Sequence, residues 1–188
     1  SWSPSGVPAS NDNILVPSGA KMKVNVAGVT IDYFTISGGG ELEVNNSMSV
    51  TGGSASQVTG SSSTLSLKEN MTINGTSTVT VGSGASVTLT SGKQLILSNS
   101  SSTLTNNGTI TLNSSSSAFS SLLLRGDYDD NSTGNVTYAR YVSGVSNDWD
   151  LIGSPMVGVT SNMIIAQSNL ATNGSDYAIG TFDNTTGA

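Results

Sequence analysis

An acidic loop late in the chain carries the residues best suited to hold a metal ion. Asp127, Asp129, Asp130 and Asn131 lie within five positions of one another. Ca²⁺ takes several oxygen ligands at about 2.3–2.6 Å, and closely spaced carboxylates on a tight loop supply them. The twelfth position counted from Asp127 is Tyr138, where an EF-hand has Glu, so the loop is not an EF-hand. We predict a Ca²⁺ site at these four residues, with a solvated linker between two modules as the alternative.

A second group of polar residues suits contact with a sugar. Asp148 and Asp150 flank Trp149. Paired carboxylates are the groups with which glycosidases work, and an aromatic ring beside them is typical of a sugar-binding site. The alternative is that Trp149 packs in a core while both acids face water.

The composition excludes several function classes. The chain has no Cys and no His, which removes thiol nucleophiles, imidazole bases and the usual zinc ligands. With only 6 Lys+Arg, no basic cluster and a net charge of −6, nucleic-acid binding is not expected. No apolar run approaches the length of a membrane span. We therefore expect no catalytic residues, and Ca²⁺ is the one cofactor predicted.

A short phrase repeats from Ile14 to Leu124 and predicts how the chain folds. Apolar residues alternate with Thr or Ser, and Gly, Asn or Ser interrupt the runs about every eight residues. Strict alternation is the period of a half-buried strand, and a short regular repeat is typical of a solenoid. The alternation predicts an inward set comprising Leu42, Val44, Met48, Val50, Leu65, Leu67, Met71, Ile73, Val79, Val81, Val87, Leu89, Leu95, Leu97, Leu104, Ile110 and Leu112.

The predicted fold is all-β, a right-handed parallel β-solenoid (β-helix) with a C-terminal β-rich module. Residues 1–13 contain Trp2, Pro4 and Pro8 and are expected to cap the open end of the solenoid. Residues 14–124 form the solenoid, with five to seven coils of about 16–25 residues each. Residues 125–188 break the pattern and are expected to form the β-rich module, which we expect to be incomplete.

Outward residues of the repeat are mostly Thr and Ser. Regular Thr arrays on solenoids can order water and bind ice. Thr is also a common outward residue on any strand. In the linear sequence the array is interrupted, and the interrupting residues are Ser49, Lys68, Gln94 and Ile96.

Three segments resemble secreted surface proteins of the Bacteroidetes and Flavobacteria. They are WSPSGVPASNDNILVPSGAKMKVN at 2–25, LTNNGTITLNSSS at 104–116 and GNVTYARYVSGVSNDWDLIGSPMVG at 134–158. In the last segment the residues that match are Arg140, Tyr141, Trp149, Ser154 and Pro155. The resemblance implies Thr/Val-rich repeats followed by a β-rich module, export by the type IX secretion route and residence on the bacterial cell surface. It implies no fixed catalytic residues.

These observations favour a non-enzymatic extracellular structural or adhesive protein, either a stalk or a filament subunit. Two partners are expected. One is a second copy of the chain, bound head-to-tail through Trp2, Pro4 and Pro8, and the other is surface polysaccharide. The first alternative function is a carbohydrate-binding or carbohydrate-active β-helix, and the second is an ice-binding solenoid.

Overall fold

The computed structural model describes residues 7–129 and 131–141, with residues 162, 165–166, 172–174 and 176–177 beyond them. From Ile14 onward the chain winds in coils of three short strands. Coil 1 holds β1 (Ile14–Val16), β2 (Lys21–Val24) and β3 (Val29–Ile31). Coil 2 holds β4 (Phe34–Ser37), β5 (Glu41–Val44) and β6 (Met48–Val50); coil 3 holds β7 (Ser56–Thr59), β8 (Thr64–Leu67) and β9 (Met71–Ile73).

The same three-strand unit continues toward the C-terminal side. Coil 4 holds β10 (Thr78–Val81), β11 (Ser86–Leu89) and β12 (Gln94–Leu97), and coil 5 holds β13 (Thr103–Asn106), β14 (Thr109–Asn113) and β15 (Ser121–Leu124). β16 (Asp127–Tyr128) and β17 (Asn135–Ala139) begin a sixth coil. The successive coils therefore form the parallel β-solenoid that the alternation predicts.

Three parallel sheets run along the column. Sheet A has the order β1-β4-β7-β10-β13-β16, sheet B the order β2-β5-β8-β11-β14-β17, and sheet C the order β3-β6-β9-β12-β15. Each strand pairs with the equivalent strand one coil away. The paired residues are separated along the chain by 20 positions at Lys23–Glu43 and by 27 positions at Gln94–Ser121. The corners absorb these differences in coil length, so the strands stay aligned.

A single apolar column fills the interior. Every member of the inward set predicted from alternation is buried, which confirms the predicted facing of the strands. Phe34, Ile36 and Ile31 are also fully buried in the first two coils. Each coil contributes a layer of aliphatic side chains that contacts the layers above and below it. The core is thin, and no coil could bury its inward face alone.

Close backbone contact between coils requires glycine at certain corners. A Cβ on Gly75 would overlap the carbonyl of Gly52, and a Cβ on Gly134 would overlap the backbone of Gly108. Gly53, beside Gly52, has open space instead, and its nearest contact would be the Thr76 hydroxyl at 3.7 Å. Glycine is therefore a packing requirement at Gly75 and Gly134, where the backbone of the neighbouring coil leaves no room for a Cβ.

Asparagine side chains join successive coils at the corners. Asn45 Nδ2 donates to Asn25 Oδ1 at 2.7 Å, and Asn113 Nδ2 donates to the Leu89 carbonyl at 2.9 Å. Asn70 Oδ1 accepts the Gln94 amide at 2.9 Å. Asn113 and Asn70 thereby satisfy a backbone carbonyl and a backbone amide of the neighbouring coil, and Asn45 adds a contact between two side chains.

The parallel pairing extends beyond Leu124, since β16 pairs with β13 and β17 with β14. The chain divides into two compact units, Ser1–Ser143 and Gly144–Ala188. In the second unit, β18 (Thr172–Asn173) and β19 (Asp176–Tyr177) form an antiparallel pair, and residues 162 and 165–166 are helical. Among the described residues, no helix has the length and apolar character that crossing a membrane requires.

The facing of β11 generates a paired test. Leu89 is 0% exposed in the core, whereas Thr88 next to it lies on the outer face. Leu89→Asp places an unpaired charge in the apolar column and should cost several kcal/mol, on the order of 3–5. Thr88→Asp should cost under about 1 kcal/mol because its carboxylate stays in water. Urea unfolding measures both values, and equal losses would contradict this facing.

Candidate functional site

The acidic loop lies in the sixth coil, where sheet A ends among the described residues. Asp127 pairs with Thr103 of the preceding coil, and a shallow open depression is lined by Thr103, Asp127, Tyr128, Asp129 and Asn131. Asp130 lies outside the described residues. The structure therefore brings three of the four predicted calcium residues to one place.

The carboxylate of Asp129 already accepts several hydrogen bonds. Its Oδ1 accepts the Asn131 backbone amide at 2.9 Å and the Asn131 side-chain amide at 3.0 Å, and its Oδ2 accepts the Thr105 hydroxyl at 3.0 Å. These donors, the Asn131 backbone amide first, hold the pKa of Asp129 below its ordinary value. Because its folded-state pKa is depressed, Asp129 adds stability at pH values above its unfolded pKa of about 3.9. This stability is lost as the pH falls through the folded-state pKa.

These hydrogen bonds bear on the calcium prediction. Among the described residues, no group of three carboxylate, His or Cys side chains converges as metal ligands would. A cation at Asp129 would compete with the Thr105 and Asn131 donors for the same oxygens. Calcium binding at Asp127, Asp129, Asp130 and Asn131 stays a prediction, and the described geometry gives Asp129 a structural role in tying coil 6 to coil 5.

The other predicted site residues fall mostly outside the described part of the chain. Trp2 and Pro4, predicted for assembly, lie there, as do Asp148, Trp149 and Asp150, predicted for sugar contact. Pro8 is described and half-buried. The turn after it is closed by Asp12, whose Oδ2 accepts the Ala9 amide at 2.8 Å, and the Asp12 carbonyl accepts the Asp32 amide at 2.8 Å. Residues 9–12 are thereby hydrogen-bonded to the corner that follows coil 1.

Sheet B carries two straight files of outward side chains. In coil order, one file is Lys21, Glu41, Thr64, Ser86, Thr109 and Asn135, and the other is Lys23, Glu43, Ser66, Thr88, Thr111 and Thr137. We call the part from coil 3 to coil 5, where both files consist of Ser and Thr, the hydroxyl face. Ser49, Gln94 and Ile96 lie on sheet C, and Lys68 follows the last residue of β8. The residues that interrupt the Thr pattern in the sequence therefore lie outside the two files of this face.

The first two coils of the same sheet carry charges in place of hydroxyls. Lys21 Nζ lies 2.6 Å from Glu41 Oε2, and Lys23 Nζ lies 3.0 Å from Glu43 Oε1. Glu41 raises the pKa of Lys21, and the hydrogen bond from Lys23 lowers the pKa of Glu43. Because these pairs are solvent-exposed, they add little stability. Their opposite signs favour the observed pairing of β2 with β5, in which both ion pairs form.

The calcium prediction is tested by melting the protein with and without the metal. If the loop binds Ca²⁺, a chelator should lower the melting temperature of the wild type, and millimolar Ca²⁺ should restore it by linkage. Asp129→Asn should abolish this response. Thr105→Val removes one competing donor and keeps the carboxylate, so its response should persist. An unchanged wild-type melting temperature would leave Asp129 with its structural role alone.

Comparisons with known proteins give one match. The family model described as the G8 domain matches residues 1–160, which spans the whole solenoid. No curated protein and no solved structure matches the chain. Because the family model covers most of the sequence, the chain belongs to the G8 domain family.

Proposed function

We propose that this G8 chain is a non-enzymatic structural module of an extracellular surface protein, and that it serves as a stalk or filament segment. One observation carries the proposal: the parallel sheets continue in register through every coil from β1 to β17. At about 4.8 Å per coil, the six coils make a column about 24 Å long. Such a column provides length and a regular surface, which are the properties a stalk needs.

The interactions between coils support a mechanical role. Bending the column would stretch the backbone hydrogen bonds of one sheet and compress the layers of the apolar core. The corner asparagines and the Lys–Glu pairs add contacts between coils outside the sheets. Cohesion is therefore spread over the whole length, and local deformation of one coil is resisted by both of its neighbours.

Location on the bacterial surface and export by the type IX route belong to the same proposal. They are supported by the resemblance of residues 2–25, 104–116 and 134–158 to secreted surface proteins. A Ser- and Thr-rich outer surface with few charges suits a protein that meets other surfaces outside the cell. The adhesive role follows if this surface contacts polysaccharide or another cell.

The proposal is tested on the cells that make the protein. Protease added to intact cells should remove it, and immunogold electron microscopy should place the label outside the envelope. A strain without the protein should attach poorly to surfaces and grow normally on polysaccharides. Resistance to external protease would contradict the proposed location. Normal attachment combined with a growth defect on one polysaccharide would favour the carbohydrate-active alternative.

Ice binding is a second candidate, and the hydroxyl face favours it. Its Ser and Thr side chains form two files at strand spacing on one sheet, uninterrupted from Thr64 and Ser66 to Thr109 and Thr111. A flat and regular set of hydroxyl and methyl groups can order water in an ice-like pattern. Thermal hysteresis should then be measurable and should be lost in Thr88→Tyr. The control Thr72→Tyr lies on sheet C and should keep it. Absence of hysteresis in the wild type would exclude this candidate.

A further inference from the structure

The apolar column is less well covered at its two ends than in its middle. Among the described residues, the half-buried hydrophobic side chains that pack on the core are Ala20, Met22, Leu122, Leu124, Val136 and Tyr138. All belong to coil 1 or to coils 5 and 6. The exposed large hydrophobic residues follow the same division: Val7, Leu15 and Val26 at one end, and Phe119, Leu123, Tyr128 and Tyr141 at the other. The described residues of coils 2–4 contribute none to either group.

Sheet B ends in an open strand edge at each end of the described column. β2 and β17 are its terminal strands. The Glu41 and Asn45 amides donate to the carbonyls of Ala20 and Val24, so the alternate backbone groups, those of Lys21 and Lys23, point away from β5. At the opposite end the Asn135 amide donates to Gly108, so the Val136 backbone groups point away from β14. The free edge of β2 therefore faces the N-terminal end of the column, and that of β17 faces the C-terminal end.

The two edges are complementary in direction and in side-chain facing. A parallel ladder that continues from β17 of one copy to β2 of the next would place Val136 opposite Met22 and Thr137 opposite Lys23. The inward side chains Val136 and Tyr138 would then lie over Met22 and Val24, and the hydroxyl of Thr137 would lie beside the Lys23 stem. This arrangement repeats the step that already joins β14 to β17 within the chain.

We propose that the chain assembles head-to-tail through this edge, with β17 of one copy pairing in parallel with β2 of a second copy. The inference rests on the proposed filament role and names its interface. Pairing in this register would form hydrogen bonds from Val136 N–H to the Lys21 carbonyl and from Lys23 N–H to the Val136 carbonyl. Because the two edges differ, the contact is heterologous and yields an open chain of copies. A strand edge that lacks a partner pairs readily with another strand, and no described strand pairs with the outer edge of β2 or β17.

Cysteine crosslinking tests the register, since the chain contains no native Cys. Two single variants of the full chain, Lys23→Cys and Thr137→Cys, are mixed and oxidised. Opposed outward residues on neighbouring strands lie within disulfide reach. The mixture should form a covalent dimer, and neither variant alone should. A dimer of Thr137→Cys with itself, or an equal yield with the mid-column control Ser66→Cys, would overturn the proposed pairing.

A proline substitution tests the edge independently. Lys23→Pro removes the outward amide donor and also the ion pair with Glu43, whereas Lys23→Ala removes the ion pair alone. At high concentration, sedimentation should show association of the wild type and of Lys23→Ala and its loss in Lys23→Pro. Circular dichroism should show that both variants keep the wild-type strand signal. Equal association of the two variants would overturn this interface.

The two proposals fail separately. If the wild type stays monomeric and the Lys21 and Val136 amides are protected from hydrogen exchange in dilute solution, the edges are covered within one chain and the interface is wrong. The stalk role would then stand or fall on surface location and attachment. If the copies associate as described but the protein is absent from the cell surface, the interface stands and the proposed function is wrong.

Discussion

In-register parallel pairing between consecutive coils is the constraint on which the rest of the structure depends. Each residue lies above its equivalent one coil earlier, so side-chain types must agree down every file. Inward positions must be apolar in all coils, and outward positions must tolerate like neighbours at about 4.8 Å. Thr and Ser meet the second condition because they stack without charge repulsion. Where charges do occur, Lys21 and Lys23 face Glu41 and Glu43, which turns repulsion into attraction.

The same constraint explains the corners. Coils of different length can stay aligned only if the chain turns sharply and the turns stack. Gly75 and Gly134 lie where backbone meets backbone, and no side chain fits there. Elsewhere Asn spans the gap between coils with its amide, as at Asn45 and Asn113. Several of these Asn begin Asn-x-Ser/Thr triplets, and the structure gives their side chains a role in joining the coils.

Alternation in the sequence was sufficient to predict the solenoid and its inward residues, because period two depends only on neighbours along one strand. It could not predict which strands share a sheet, since that depends on the number of strands per coil. The Thr pattern therefore looks interrupted in the linear sequence, whereas Ile96 and Gln94 lie on sheet C and leave the two files of sheet B intact. The solenoid extends past Leu124 into a sixth coil, because Asp127 and Tyr128 pair with β13 although they lack the Thr/Val pattern. The acidic loop was visible in the sequence as a cluster of carboxylates, but the hydrogen bond from Thr105 to Asp129 depends on the stacking of two coils and could not be predicted from that cluster.

One pair of glycine substitutions tests whether the coils stack with their backbones in direct contact. Gly75→Ala would drive a methyl group into the Gly52 carbonyl, whereas Gly53→Ala, whose nearest contact is 3.7 Å away, has room for it. Gly75→Ala should lower the free energy of unfolding by more than about 2 kcal/mol through overpacking. Gly53→Ala should change the free energy of unfolding by less than about 1 kcal/mol. Equal stability of the two variants in urea unfolding would contradict the stacking of the coils.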